Sequence, residues 1–145
     1  MIELLRREFT VRVPLDHAWK ELARIEDWPL WAAHIRAVIV TPPGPLGPAS
    51  TGKILLTNRM RSTFRMCDFN PPRNWAWEGP FLGLTVRYDH RFDAVGTTAT
   101  RLTWVVEGHG RFVRLLGPMF ARVYTRNVDR AVPRLICRME SSLRG

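Results

Sequence analysis

The last third of the chain, from Gly110 to Gly145, constrains the fold most strongly, because it contains the longest helical pattern in the sequence. Apolar residues recur there at nearly helical spacing, which is typical of a helix that buries one face. A helix of this length can cover a whole sheet, so we expect the preceding chain to supply that sheet. The apolar positions are Met119, Phe120, Val123, Tyr124, Val128, Ala131, Val132, Leu135, Ile136 and Met139.

Two prolines interrupt this helical pattern. We expect Pro118, which follows a break at Gly117, to lie at the start of the main helix. Pro133 falls inside the pattern and should bend the helix, because proline cannot donate a backbone hydrogen bond to the preceding turn. The apolar residues recur about every four positions, so their stripe rotates by roughly 40° per step around a straight helix. A bent helix on a curved sheet would keep that stripe in contact with the sheet.

Most of the preceding chain has the alternating pattern of antiparallel β-strands. The clearest example runs from Leu84 to Asp93, where apolar residues and His90 share one face and charged residues share the other. Two short helices should follow the first strand, with Asp16 and Asp27 as their N-caps. The pattern therefore predicts one α+β domain over residues 1–145. Its other strands are expected at residues 2–13, 35–41, 53–57, 60–69, 74–78 and 102–106.

Composition and hydropathy indicate the size of the core and the cellular location of the protein. With 145 residues and 46% hydrophobic content, the chain is large enough to bury one core. No run approaches the roughly 18 apolar residues of a membrane span, and the N-terminus lacks the apolar region of a signal peptide. We therefore expect a cytoplasmic protein without a transmembrane segment, either a monomer or a homodimer.

The chain is strongly basic, with a net charge of +9 from 22 Lys and Arg against 13 Asp and Glu. Such a charge permits weak binding to anionic surfaces, including nucleic acids and membranes. Five arginines of the terminal segment recur every four residues. They form either a ridge that binds an anionic partner or a solvated outer face of the helix. No recognition-helix motif accompanies them, so we expect no specific nucleic-acid binding. They are Arg122, Arg126, Arg130, Arg134 and Arg138.

Common cofactor motifs are absent from the sequence. It contains no GxGxxG segment, no Walker loop and no nucleophile elbow. The four histidines, His17, His34, His90 and His109, lack the spacing of metal ligands. We therefore expect no nucleotide cofactor and no metal. Any catalysis would then rely on acid–base groups and on the shape of a binding site.

Three residues are candidates for acid–base chemistry. His90 is predicted on the apolar inner face between Tyr88 and Phe92, where its imidazole would stay neutral and could transfer a proton. Alternatively, His90 is a structural residue that is hydrogen-bonded across the sheet. Asp68 falls on an apolar side and could orient His90, or it could cap the next turn. Tyr124 could present its hydroxyl to a ligand, or it could pack in the core.

Several short motifs occur in a specific order along the chain. They are VPLDHAWKEL from Val13, DWPLW from Asp27, NPPR from Asn70 and RLT from Arg101. In this order they resemble the START-like (SRPBCC) superfamily, specifically its polyketide cyclase/dehydrase and lipid-transport branch. The resemblance spans nearly the whole chain. It implies the helix-grip fold, a curved antiparallel sheet of about seven strands wrapped around a long C-terminal helix.

The resemblance implies that a hydrophobic small molecule, lipid-like or polyketide-like, binds in a deep apolar cavity between the sheet and the long helix. Alternatively, the chain is a polyketide cyclase, aromatase or dehydrase that promotes ring closure or dehydration of a poly-keto chain. In that enzyme subgroup a tyrosine and an arginine face the cavity, and here their places hold Ile35 and Asp68, with Arg65 nearby. Candidate ligand contacts are Trp28, Trp31, Ile35, Phe64, Met66, Trp75, Trp77, Tyr88, Trp104, Phe120 and Val123.

Overall fold

A seven-stranded antiparallel sheet and one long helix account for most of the computed structural model, which describes residues 1–144. The strands are β1 (Ile2–Val11), β2 (Ile35–Thr41), β3 (Thr51–Leu56), β4 (Arg61–Asn70), β5 (Asn74–Phe81), β6 (Leu84–Val95) and β7 (Ala99–His109). The helices are α1 (Leu15–Ala23), a 3₁₀ helix (Ile25–Leu30) and α2 (Val113–Arg144). The strand order is β1-β7-β6-β5-β4-β3-β2. This arrangement confirms the predicted helix-grip fold with two short helices after the first strand.

The centre of the sheet aligns aromatic residues of three strands on one face. His90 of β6 lies opposite Trp75 of β5 on one side and opposite Trp104 of β7 on the other. All three side chains are buried. This is the inner face, which the helices cover, and the alternation predicted for β6 is confirmed.

Strand β4 changes face part-way along its length. Met66 pairs with Trp77, but Asp68 pairs with Ala76, so Cys67 is an extra residue in a β-bulge. Because side chains alternate along a strand, one extra residue moves every later side chain to the opposite face. The prediction that Asp68 shares the inner face with Met66 is therefore wrong.

Helix α2 begins at Val113, before the predicted start at Pro118, and it continues through Pro118 and Pro133. The predicted break at Gly117 is also wrong, because Gly117 is a buried part of the helix. A Cβ at this position would lie 2.9 Å from a methyl group of Leu4 in β1, so glycine lets the first turns of α2 approach the sheet. The bend at Pro133 stays a prediction.

Neither predicted N-cap has that role. Helix α1 begins one residue before Asp16, with Pro14 at the N-cap position and no side-chain hydrogen bond to the cap. The carbonyl oxygen of Pro14 accepts a 3.0 Å hydrogen bond from the Ala18 amide, which closes the first turn. The 3₁₀ helix starts at Ile25, so Asp27 lies inside it.

Helix α2 packs mainly against β1, and polar contacts fix its C-terminal half. The Arg7 side chain donates a 2.9 Å hydrogen bond to Asp129, and the backbone amide of Arg12 donates one of 2.9 Å to Glu140. No comparable side-chain contact involves residues 113–126 within the described part of the chain. Among residues 1–144, no helix combines the length and apolar character needed to span a membrane.

Gly79 of β5 provides a test of the close packing between β4 and β5. A Cβ at Gly79 would overlap the carbonyl oxygen of Thr63. We expect Gly79→Ala to lower the free energy of unfolding by about 1–3 kcal/mol, because the backbones would have to separate. Gly47→Ala is the matched control: a Cβ at Gly47 would meet nothing within 4 Å, so we expect a change below about 0.5 kcal/mol. Urea denaturation measures both values, and equal effects would contradict this packing.

Candidate functional site

The candidate site lies between the inner face of the sheet, the middle of α2 and residues 28–35. It is a cavity of about 40 Å³. Strands β6 and β7 form its floor, and the side chains above them come from the 3₁₀ helix, the turn after it and α2. Seven residues predicted as catalytic or ligand-binding line this cavity, namely Trp28, Trp31, Ile35, Tyr88, His90, Trp104 and Tyr124.

The other predicted residues lie outside the lining of the cavity. Val123 is exposed on the outer side of α2, so the prediction that it contacts a ligand in the cavity is wrong. At this turn of the helix, Tyr124 faces the sheet instead. Asp68 lies on the outer face of the sheet. The other five residues are buried in the core beside the cavity: Phe64, Met66, Trp75, Trp77 and Phe120.

The cavity is much smaller than the deep one that the family resemblance implies. A volume of about 40 Å³ holds about one water molecule. Aromatic side chains occupy the rest of the space: Phe64 stacks on Trp77 with ring centroids 4.2 Å apart, and Trp28 lies 5.5 Å from Trp77. The deep open cavity is not shown by this structure, in which any larger ligand would have to displace protein groups.

His90 is a neutral base in an apolar environment. Its ring is buried and stacks on Trp75, with centroids 4.7 Å apart. Its Nδ1 lies 3.2 Å from the carbonyl oxygen of Trp75. Because a carbonyl oxygen only accepts hydrogen bonds, Nδ1 must carry the proton, and Nε2 keeps its lone pair. Burial lowers the pKa of His90 to about 4, so the imidazole is uncharged at neutral pH.

Two tyrosines add protonated hydroxyl groups to the cavity. The rings of Tyr88 and Tyr124 lie 5.7 Å apart, and Tyr124 stacks on Phe120 at 5.4 Å. Burial raises the pKa of both hydroxyls, and the nearby Tyr124 raises that of Tyr88 further. Both groups therefore stay protonated and can donate hydrogen bonds. No side-chain hydrogen bond within residues 1–144 uses either hydroxyl.

Trp104 contributes a buried donor without an acceptor. Its indole Nε1 has no hydrogen-bond partner among the described residues. The ring lies 6.2 Å from Trp31 and 6.3 Å from His90, measured between centroids. An unsatisfied buried donor costs on the order of 1–3 kcal/mol, and an oxygen atom of a bound molecule could remove that cost.

Asp68 belongs to a separate polar network on the outer face of the sheet. Its carboxylate accepts hydrogen bonds from the side chains of Asn70 and Asn74 and lies 3.7 Å from Arg87. The hydrogen bonds from Asn74 and Asn70 lower the pKa of Asp68, so it remains ionised. The bulge in β4 places it across the sheet from His90. Asp68 therefore cannot orient His90.

Seven lining residues are not among the predicted site residues. They are Ala32, His34, Asp89, Val105, Val106, Val128 and Ala131. Burial lowers the pKa of His34, which adds a second largely uncharged imidazole. The helical pattern of α2 already included Ala131, and its short side chain is the signal that could have indicated a space beside it. Within residues 1–144, no group of three His, Cys, Asp or Glu side chains is arranged to hold a metal ion.

Comparison with known proteins assigns the chain to a family. The model of the family "polyketide cyclase / dehydrase and lipid transport" matches residues 4–140, and the chain belongs to this family. No curated protein sequence gives a significant match.

Solved structures of several proteins are similar to this chain. The Zhui aromatase/cyclase from Streptomyces sp. R1128 has a TM-score of 0.72 and 16% identity, over 96% of this chain and 94% of that one. A START superfamily protein from Mycobacterium smegmatis has a TM-score of 0.72 and 13% identity, over 94% and 97%. The di-domain ARO/CYC StfQ of the steffimycin biosynthetic pathway has a TM-score of 0.73 and 13% identity, over 97% and 51%. At these identities the similarity shows the fold alone.

Acid should destabilise the protein through His90. The pKa of about 4 in the folded protein lies below the ordinary value of 6.5, so the unfolded chain binds the proton first as the pH falls. This contribution to stability is fully present above pH 6.5 and is lost as the pH falls to 4, a difference of roughly 3 kcal/mol. We expect His90→Gln to reduce the loss of stability between pH 7 and pH 4 by about that amount.

Denaturant unfolding at several pH values measures this effect. His109→Gln, which replaces an exposed histidine, is the matched control and should keep the full loss of stability in acid. A pH dependence that is the same in His90→Gln and in the unmodified protein would contradict the buried neutral imidazole.

Proposed function

We propose that the protein binds a hydrophobic small molecule, lipid-like or polyketide-like, between the sheet and α2. The unpaired indole donor of Trp104 carries this proposal. A carbonyl or hydroxyl oxygen of the ligand would accept the hydrogen bond that the protein leaves unmade. The rings of Trp28 and Trp31 would contact the apolar part of the same molecule, as in other small-molecule sites with few polar groups.

Such a ligand needs more space than the cavity offers, and α2 is the element that could provide it. The C-terminal half of the helix is fixed by Asp129 and Glu140. Residues 113–126 are held to the sheet by apolar and aromatic packing, in which Phe120 lies 4.8 Å from Phe81 between ring centroids. If residues 113–126 moved outward, contacts between aromatic rings of the protein would be replaced by contacts with the ligand. This movement would break no side-chain hydrogen bond or ion pair of the described residues.

A second candidate function is catalysis of ring closure and dehydration on a poly-keto chain. The observation that favours it is a neutral His90 beside two protonated tyrosines. In this scheme Nε2 of His90 removes a proton from a carbon between two ketones, and that carbon attacks a third carbonyl carbon. A tyrosine hydroxyl stabilises the oxygen that becomes negative, and the proton on Nε2 then passes to this oxygen. Loss of water completes the sequence and requires no cofactor.

The comparisons support both candidates at the level of class. The family description includes cyclases, dehydrases and lipid transport. Two of the similar structures are those of aromatase/cyclases. Neither the identity of the ligand nor a chemical step follows from these names, so the proposal depends on the groups around the cavity.

Native mass spectrometry of freshly purified protein tests the proposal. We expect a non-covalent adduct that organic solvent releases as an apolar small molecule. Val128→Phe should lower its occupancy about tenfold, because the added ring fills the cavity beside α2. Val95→Phe makes the same change at an exposed position of β6 and should leave occupancy unchanged.

Incubation of the protein with a poly-β-ketone separates the two functions. A binding protein would return the ketone unchanged, whereas a cyclase would return a product lighter by one water. Both candidates would be contradicted if no adduct were detected and if the protein neither protected the ketone nor converted it. Equal loss of the adduct in the Val128 and Val95 variants would place binding elsewhere.

A further inference from the structure

An exposed apolar surface covers the outer side of the first half of α2, away from the cavity. Leu115, Met119 and Val123 are 74%, 48% and 59% exposed and follow one another at intervals of four residues. Phe112, just before the helix, is 57% exposed, and Leu82 in the turn between β5 and β6 is 61% exposed. We refer to these five residues as the apolar patch.

The members of the apolar patch lie at one end of the molecule. Residues four apart share one side of a helix, which groups Leu115 with Met119 and Val123. The turn that contains Leu82 lies against the start of this segment. A Cβ on Gly110 would be 3.2 Å from the carbonyl oxygen of Gly83, the neighbour of Leu82. Apolar side chains grouped in this way usually mark a surface that contacts another molecule.

The charged residues that neighbour the α2 part of the apolar patch in the sequence are all basic. Arg111, Arg114, Arg122 and Arg126 lie beside or between its members, and all four are exposed. None of them forms an ion pair within residues 1–144. The sequence contains no Asp or Glu between Glu107 and Asp129. The surface therefore combines large apolar side chains with positive charge that has no ion-pair partner within the described residues.

We propose that this surface docks on a membrane of anionic lipids. The arginines would contact lipid phosphates, and the apolar side chains would enter the layer beneath the headgroups, as amphipathic helices do. A nucleic acid would match the charge, but it offers nothing to five exposed apolar side chains. A second copy of the chain would bring two sets of arginines together. Anionic lipid is the partner that satisfies both components of the surface.

Co-sedimentation with lipid vesicles tests the docking surface. We expect the protein to bind vesicles that contain phosphatidylglycerol, to bind pure phosphatidylcholine vesicles far less, and to dissociate at high salt. Arg122→Gln/Arg126→Gln should weaken binding by about thirtyfold, which is about fivefold for each arginine. Arg59→Gln/Arg61→Gln changes the net charge equally, at the turn after β3 and at the first residue of β4, and we expect less than about a threefold effect.

A second pair of variants tests the apolar component. Leu115→Gln/Met119→Gln should weaken binding to phosphatidylglycerol vesicles by about tenfold or more. The control, Ile39→Gln/Met60→Gln, alters two exposed apolar residues outside the apolar patch and should bind normally. Circular dichroism melting confirms that each variant is folded.

Three outcomes would overturn the proposal. The first is no binding of the unmodified protein to phosphatidylglycerol vesicles. The second is equal weakening by both arginine pairs, which would mean that net charge alone determines binding. The third is a concentration-dependent dimer that Leu115→Gln/Met119→Gln dissociates, since this would assign the apolar patch to a second copy of the chain.

Discussion

One helix is too narrow to cover the inner face of a seven-stranded sheet, and much of the structure follows from this constraint. Neighbouring strands lie about 4.8 Å apart, so the sheet is roughly 29 Å wide, whereas a helix with its side chains is about 10–12 Å across. Helix α1 and the 3₁₀ helix cover part of the difference. Large aromatic residues fill the remainder, among them Trp28, Trp75 and Trp77. The tryptophan content of the chain is thus a consequence of its architecture as well as a property of its candidate site.

The same packing explains why the cavity is small and where it lies. Space remains beneath the middle of α2, where Val128 and Ala131 contribute short side chains to the same cavity as Trp104 and His90. Two buried indole donors have no acceptor among the described residues, and one of them, that of Trp104, belongs to the lining of this cavity, whereas Trp75 lies outside the lining. The half of α2 that precedes the cavity lacks the polar contacts that fix the second half. Ligand entry and movement of this segment would therefore be one event, in which ring–ring contacts are replaced by ligand contacts.

Local periodicity was enough to predict most strands, the long helix and the α+β class, and the family resemblance implied the helix-grip arrangement. Neither was enough to predict the details of the site. The alternation in β6 and the helical stripe of α2 depend on neighbouring residues, so the sequence shows them directly. The face of Asp68 depends on a bulge at Cys67, and no glycine or proline marks that position. The rotation of α2, which turns Tyr124 inward and Val123 outward, is determined by contacts with distant strands. The volume of the cavity depends on how aromatic side chains fit together, which no sequence pattern encodes.

The central claim is that a ligand accepts a hydrogen bond from Trp104 in the space beneath α2. Nuclear magnetic resonance of the six indole N–H groups, assigned with single Trp→Phe variants, tests it most directly. Addition of the molecule extracted from the purified protein should move the Trp104 indole proton downfield and shift the signals of Trp28 and Trp31. The signal of Trp19, which packs against Phe69, should change little. An unchanged Trp104 signal, or shifts confined to Trp19, would contradict this account.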